Sequence, residues 1–284
     1  MEYKLLAIDM DGTFLKDDRS ISEINLNAVK KIAQSGTKVV VCSGRVPILL
    51  KPILEAINEN QPFIALNGSL IFDHNGKEIY VAKIDENILF KIIDTLRIDF
   101  DNVYYHFFHG DIACSERFEN IIKRYYERNF LLPREKRIEF RILSDSKKYI
   151  KENKCEIGKL EIYNEDSGLL QKIKDKLSNL DEIEIVDSGK FGLEITKKGV
   201  NKGSALEILA QYYGYSIEQC IAIGNDGNDL EMIKKAGIGV AVINAKSYIK
   251  SAANYITKRD NNNDAVAETI EKFIDININK KIIK

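Results

Sequence analysis

Five short runs of the chain are largely apolar and do not alternate with polar residues: 3–9, 38–42, 63–66, 220–223 and 238–242. An unalternating β-branched run such as "KVVVC" fits a strand buried on both faces. Helical spacing lies between these runs. Ser22 is placed to cap a helix that Gly36 stops, and Pro47 opens another. Strands alternating with helices predict an α/β protein with a doubly wound parallel sheet.

The pattern changes in the middle of the chain. "DHNGKE" at 73–78 reads as an Asn-Gly hairpin turn. Ile88, Leu89, Ile92, Ile93 and Leu96 then form a helical stripe. Residues 102–109 are strand-like and rich in aromatics, 116–128 and 166–180 have helical spacing, and 159–163 and 182–187 are strand-like again. This predicts an α+β unit at 84–188 inserted into a discontinuous core of 1–83 and 189–284. "FGLEITKKGVNKGSAL", from Phe191, is expected to lead back into the core. His106 and His109 fall in the insertion and are read as ordinary sheet or surface histidines, and His74, in the hairpin turn, as solvated.

Composition narrows the class. With 42 Lys and Arg against 43 Asp and Glu the net charge is -1, so no global field draws the chain to nucleic acid or an anionic membrane. No run is long and apolar enough to span a bilayer, and the first residues lack the order of a signal peptide. Cys42, Cys114, Cys155 and Cys220 are widely spaced, and Cys42 and Cys220 sit in strand-like runs as small hydrophobes, which fits a reducing cytoplasm.

The chemistry stands where the strands stop. Asp9-Met10-Asp11-Gly12-Thr13 follows the first run, Ser43-Gly44-Arg45 the second, Asn67-Gly68-Ser69 the third, and Gly224-Asn225-Asp226-Gly227-Asn228-Asp229 the fourth. Ligands of open α/β sheets bind outside the carboxyl ends of the strands. A turn or a helix cap accounts for any one of these stretches alone, but four on one edge make a site. Calcium binding in an EF-hand is excluded because Gly12 is fourth from Asp9, not sixth. No Gly-x-Gly-x-x-Gly follows the first strand, so dinucleotide binding has no fingerprint.

In this order the stretches resemble those of haloacid dehalogenase superfamily phosphatases of the Cof type, with Lys202 in "GVNKGSAL" matching the lysine motif. The resemblance spans nearly the whole chain. It implies a Rossmann-like core, an α/β cap inserted after the third core strand, and Mg²⁺-dependent hydrolysis of small phosphate monoesters through an aspartyl-phosphate. It makes Asp9 the nucleophile and Asp11 the general acid and base. Ser43 is the hydroxyl on the phosphoryl oxygens, and Lys202 the cation holding Asp9 and the phosphate. Thr13, Gly44, Arg45, Asn67, Gly68 and Asn228 are expected on the substrate. Asp9, Asp11 through its carbonyl, Asn225, Asp226 and Asp229 are expected around the metal. The partner is a small phosphorylated metabolite, with no nucleic acid and no membrane.

Two departures stand out. The fourth motif of the family reads Gly-Asp-x-x-Asn-Asp, whereas here Asn225 holds the first acidic place and Asp226 follows it. The sequence leaves open which of them ligates the metal. A strand-end side chain points into the site while the next residue turns toward Gly227, which favours Asn225. "VINA" at 242–245 has Ile243 where the family often has glycine. Two other functions compete: a phosphosugar mutase, and a phosphate-ester binding or regulatory protein whose metal site has decayed at Asn225. Intact Asp9, Asp11, Ser43 and Lys202 argue against the second, and nothing in the chain signals retention of an intermediate for the first.

Overall fold

The computed structural model describes residues 3–57, 60–101, 103–134 and 137–274. The chain begins with β1 (Leu5–Asp9), α1 (Glu23–Gln34), β2 (Lys38–Cys42), α2 (Pro47–Ile57), β3 (Phe63–Ala65), β4 (Leu70–Phe72) and β5 (Glu78–Val81). Ser22 caps α1 by accepting a hydrogen bond from Asn25 N at 3.3 Å. A middle segment follows with α3 (Glu86–Ile98), β6 (Tyr105–His109), β7 (Ile112–Ser115), α4 (Asn120–Asn129), β8 (Phe140–Ile142) and α5 (Ser146–Asn153). It continues through β9 (Lys159–Tyr163), α6 (Ser167–Leu177), β10 (Ile183–Ser188) and β11 (Gly192–Lys197). The last segment holds α7 (Lys202–Tyr212), β12 (Cys220–Gly224), α8 (Leu230–Lys235), β13 (Ile238–Ala241), α9 (Ser247–Ala252), β14 (Tyr255–Ile256) and α10 (Ala265–Phe273).

These elements form two compact units. The first joins the described residues of 1–45, 50–80 and 201–284, and the second those of 46–49 and 81–200.

The first unit is a doubly wound sheet in the order β14-β13-β12-β1-β2-β3-β4-β5. Strands β14 through β3 are parallel, and β4 turns back antiparallel on β3. Both faces are covered, which explains the unalternating runs. Leu6, Ile8, Val39, Val41, Ile221 and Ile223 pack with residues of α1, α2 and α10. Leu5, Ala7, Val40, Cys42 and Ala222 face the other way, against α7 and α8. Register pairs Asp9 with Cys42 and Gly224 with Ala241, so the polar stretches leave the sheet at one edge. His74 is not solvated as its turn position predicts. It is half-buried, with Nδ1 3.0 Å from the Tyr213 hydroxyl.

The second unit has a six-stranded sheet, β10-β11-β9-β6-β7-β8. One face is apolar: Phe107, Leu160, Ile162, Leu193 and Ile195 pack on the predicted stripe of α3 and on Leu170, Ile173 and Leu177 of α6. The stretch expected to lead back into the core begins instead as β11, an antiparallel strand held between β10 and β9, and enters the first unit only from Asn201. Leu193 and Ile195 supply the apolar alternation that puts it there. The expected helix at 116–128 starts only at Asn120, because Glu116 is taken by Arg97 and by Ser146 N. The strand expected from residue 102 begins at Tyr105, and residue 102 itself lies outside the described residues. Among the described residues, no helix is long and apolar enough to cross a membrane.

The opposite face of that sheet is polar yet buried. Lys159 Nζ lies 2.6 Å from Glu161 and 2.7 Å from Glu194, and His106 Nε2 is 3.6 Å from Glu161. Burial, assisted by Lys159 and opposed by Glu161, holds the His106 imidazole below its ordinary range. The unfolded chain therefore takes up a proton near pH 6.5 that the folded chain refuses. The stability from a neutral His106 is complete above that pH and falls as pH drops below it, by up to about 1.4 kcal/mol per pH unit. Urea unfolding at pH 7.5 and 5.5 is expected to show a larger acid loss for the parent than for His106→Asn. Equal losses would remove His106 from the acid limb.

Candidate active site

Asp9 ends β1, and the chain folds back at once: Phe14 N donates to Asp9 O at 3.2 Å and Leu15 N to Met10 O at 2.9 Å. Buried Met10 and Phe14 anchor this loop from below. Gly12 has φ +78°, and a Cβ there would stand 2.5 Å from Asn225 Nδ2. Glycine is therefore required twice, for the backbone angle and for the approach of the fourth motif.

Lys202 opens α7, whose N-cap Asn201 and Ser204 satisfy each other's backbone N–H groups. Its side chain is fully buried, with Nζ 2.6 Å from Asp9 Oδ1 and 2.7 Å from Asp229 Oδ1. Burial disfavours the ammonium, but Asp229 and Asp9 overcome that and hold it protonated. Asp9 is pushed the other way. Burial first, then the neighbouring charge of Asp229, raise its carboxyl to about 7 against the pull of Lys202. One cation shared by two buried carboxylates leaves Asp9 short of compensation.

Asp229 has no spare oxygen. Besides Lys202, it accepts from Asn225 N at 2.8 Å and Asp226 N at 3.0 Å through Oδ2. Asp226 faces away: its Oδ1 accepts from Gly227 N and pairs with Lys246 Nζ at 2.6 Å. Asn225 points inward, onto Thr13 Oγ1, Asp9 Oδ2 and the Asp11 carbonyl. The structure thus gathers Asp9, the Asp11 backbone, Thr13, Asn225, Asp229 and Lys202, and it turns Asp226 outward.

Asp11 and Arg45 meet where the register of β1 and β2 brings their loops side by side. Arg45 Nε and Nη2 take the two carboxylate oxygens at 2.9 and 2.5 Å. Arg45 was expected on the substrate, and this two-point contact with Asp11 is what the sequence reading missed. Ser43 is buried, its Oγ accepting from Arg45 N at 3.2 Å. Asn67 N donates to Ser43 O at 3.1 Å, and Asn228 Nδ2 donates to Asn67 Oδ1 at 3.1 Å, tying the second, third and fourth stretches together. Gly68 has φ +106° and packs so closely on α7 that a Cβ would come 2.5 Å from Asn201 O. Gly44 is half-buried in the loop between Ser43 and Arg45.

Two further residues serve the site. Asn244 Nδ2 donates to Gly12 O at 2.9 Å, and Asn261 Nδ2 to Leu15 O at 3.1 Å, which pins the loop after Asp9. Asn244 follows β13, so the rule that found the other strand ends points to it as well.

A carboxylate pair at the end of the first parallel strand, a buried lysine and a fourth-strand Asn-Asp turn define a class. The chain belongs to the haloacid dehalogenase-like hydrolases, whose family model matches residues 6–270. Within that family it is a phosphatase of the Cof type. It is 27% identical to the 5-amino-6-(5-phospho-D-ribitylamino)uracil phosphatase YcsE of Bacillus subtilis, over 96% of this chain and 97% of that one. It is 26% identical to a phosphoglycolate phosphatase of Methanobrevibacter smithii, over 96% and 100% of the two chains. The crystal structure of a haloacid dehalogenase-like hydrolase from Bacteroides thetaiotaomicron is 27% identical and superposes with a TM-score of 0.79, covering 95% of this chain and 99% of its own.

Proposed function

We propose that this chain hydrolyses small phosphate monoesters, with Mg²⁺ as its metal and Asp9 as transient carrier of the phosphoryl group. The observation that carries the reading is the hold on Asp9. One oxygen of this buried carboxylate is fixed by Lys202, and the other lies against the Asn225 amide, which also meets the Asp11 carbonyl.

The oxygens there fit a hard cation. The terminal Asn225 atom facing the loop lies 3.1 Å from Asp9 Oδ2 and 3.0 Å from the Asp11 carbonyl oxygen. Neighbouring ligands of an octahedral Mg²⁺, each at about 2.1 Å, are about 3.0 Å apart. Asp9, the Asp11 carbonyl and the Asn225 amide oxygen would hold the ion. When bound, Mg²⁺ supplies positive charge that offsets the repulsion between carboxylate and phosphate dianion.

Asp9 attacks phosphorus, and the ester P–O bond breaks as the Asp11 carboxyl gives its proton to the departing alkoxide. Asp11, now a base, takes a proton from water as that water attacks the acyl phosphate. Inorganic phosphate leaves, and Asp9 and Asp11 return to their starting forms. Arg45 sets the direction in which the Asp11 carboxyl faces. Ser43, Thr13, Gly44, Asn67, Gly68 and Asn228 line the place of the phosphoryl group and its ester, and Lys202 counters the charge of both Asp9 and phosphate. The names of the two relatives specify phosphate esters of small, oxygen-rich metabolites, which supports that substrate class here. We place the protein in the cytoplasm, a reading supported by four cysteines that are all free thiols.

Phosphate release from a panel of phosphorylated metabolites, with Mg²⁺ and with EDTA, tests this. Mg²⁺-dependent release is expected, and none from any ester would overturn the reading. A requirement for an added bisphosphate would mark phosphoryl transfer to a sugar instead. Asp11→Asn is expected to lose far more activity on an alkyl phosphate than on an aryl phosphate, which leaves with little protonation. Equal losses on the two would take the acid role away from Asp11.

A further inference from the structure

The amide of Asn225 meets three oxygens at the end of β1, and its two ends suit opposite conditions. With nitrogen turned inward, Nδ2 lies 3.0 Å from Thr13 Oγ1, 3.1 Å from Asp9 Oδ2 and 3.0 Å from the Asp11 carbonyl oxygen. Two N–H bonds then face three acceptors. With oxygen turned inward, the contact with Thr13 Oγ1 survives at 3.0 Å, because a hydroxyl can donate as well as accept. The other two contacts become oxygen against a carboxylate and oxygen against a carbonyl, which is unfavourable without a cation between them. A hard cation reverses the preference, because it takes oxygen ligands only.

We propose that Asn225 is a two-position element of the metal site. Its amide nitrogen satisfies Asp9 and the Asp11 carbonyl when no cation is there, and a half-turn of the amide presents Oδ1 when Mg²⁺ binds. The proposal rests on the reading of this cluster as a Mg²⁺ site. It turns the departure from the family's aspartate into a definite property. Among the described residues, no group of three His, Cys, Asp or Glu side chains gathers to hold a metal. Asp226 and Asp229 are occupied by Lys246 and Lys202. Mg²⁺ therefore meets one carboxylate and must displace internal hydrogen bonds to bind. The same hydrogen bonds hold the first and fourth motifs together without it. An aspartate at 225 would do the reverse: two carboxylates in contact repel until a cation arrives, and then bind it strongly.

The test uses the full chain without substrate. Mg²⁺ affinity is measured by calorimetry, and melting temperature is measured in EDTA and in saturating Mg²⁺. Asn225→Asp is expected to bind Mg²⁺ about tenfold tighter or more, because ligand charge sets affinity in such sites. It is expected to melt below the parent in EDTA and above it in Mg²⁺, so the order of the two proteins reverses. Asn225→Ala, which keeps neither end of the amide, is expected to melt lower in EDTA and to bind Mg²⁺ more weakly. An Asn225→Asp protein that melts at or above the parent in EDTA overturns the proposal, as does an Asn225→Ala protein with unchanged melting and affinity. The reversal without phosphate release from any ester would leave the proposal standing and the proposed reaction refuted. Mg²⁺-dependent release without the reversal would do the opposite.

Discussion

Asp9→Asn is expected to lower turnover by about 10⁴-fold or more, the usual scale for loss of a nucleophile, while leaving the protein at least as stable as the parent at pH 8. The amide keeps the shape but has no charge with which to attack. The stability half of the expectation follows from the crowding at Lys202. The folded Asp9 carboxyl titrates at about 7, raised from its ordinary value first by burial and then by Asp229. A raised carboxyl favours the folded state at low pH and loses that contribution as pH rises through the folded value. At pH 8 the parent therefore holds a charge its surroundings resist, and the variant does not. Removing that charge leaves Lys202 and Asp229 as a one-to-one pair at 2.7 Å. Phosphate release in Mg²⁺, and thermal melts in EDTA at pH 5 and pH 8, check both halves, with the variant's stability advantage larger at the higher pH. A variant that turns over near the parent rate would end the nucleophile assignment.

Lys202→Met is expected to cost about 3–5 kcal/mol of stability, because it leaves buried carboxylates without their cation, and to abolish turnover as well. The effect is large because the ammonium is fully buried and touches both acids. The double variant Lys202→Met/Asp229→Asn is expected to regain part of the stability and none of the activity. Urea unfolding of the three proteins is the measurement. A single variant within about 1 kcal/mol of the parent, the range of ordinary surface substitutions, would show that the cluster does not depend on Lys202.

Much of the core was legible because of one physical fact. A strand covered on both faces cannot alternate, so "KVVVC" and "CIAIG" declare themselves, and the residues after them fall on the ligand edge. Asp9, Ser43 and Asn225 were located in this way, whereas Lys202 came from its match to the lysine motif of the family. What the sequence hid is chiefly polar groups that are buried in pairs. Nothing in the local pattern marks Lys159 and Glu194 as interior, and only their contact across 35 residues makes them so. β11 was missed because the stretch from Phe191 reads as the return to the core, and the pairing of Glu194 with Lys159 that fixes it in the sheet is not visible locally. The Arg45–Asp11 contact was hidden differently, since it depends on the register of β1 with β2 rather than on either motif. Glu116 favours a helix start by its charge, yet tertiary contacts with Arg97 and Ser146 N take it and delay α4 by four residues. The half-turn available to Asn225 has no sequence signal at all beyond the exchange of an acid for an amide.

The order in which the sheet of the first unit is assembled also decides when the protein becomes safe and active during its own synthesis. β1 pairs on one side with β2, a near neighbour, and on the other with β12, where Leu5 lies against Cys220. Until the ribosome has passed residue 220, the central strand keeps an open hydrogen-bonding edge, flanked by the apolar side chains of Leu5, Leu6, Ala7 and Ile8. Such an edge invites pairing with another chain. Unpaired strand edges of this kind make incomplete chains prone to aggregate. In the second unit, continuous from residue 81 to 200 apart from one short upstream piece, the wait is shorter: the open edge of β6 is closed once β9 is made, where Tyr105 lies against Ile162. Lys202 and Asp229 emerge in the same late segment that closes the edge. A truncated product of this chain is therefore both inert and sticky, and a helper protein that shields nascent chains has its clearest task in the interval between β2 and β12.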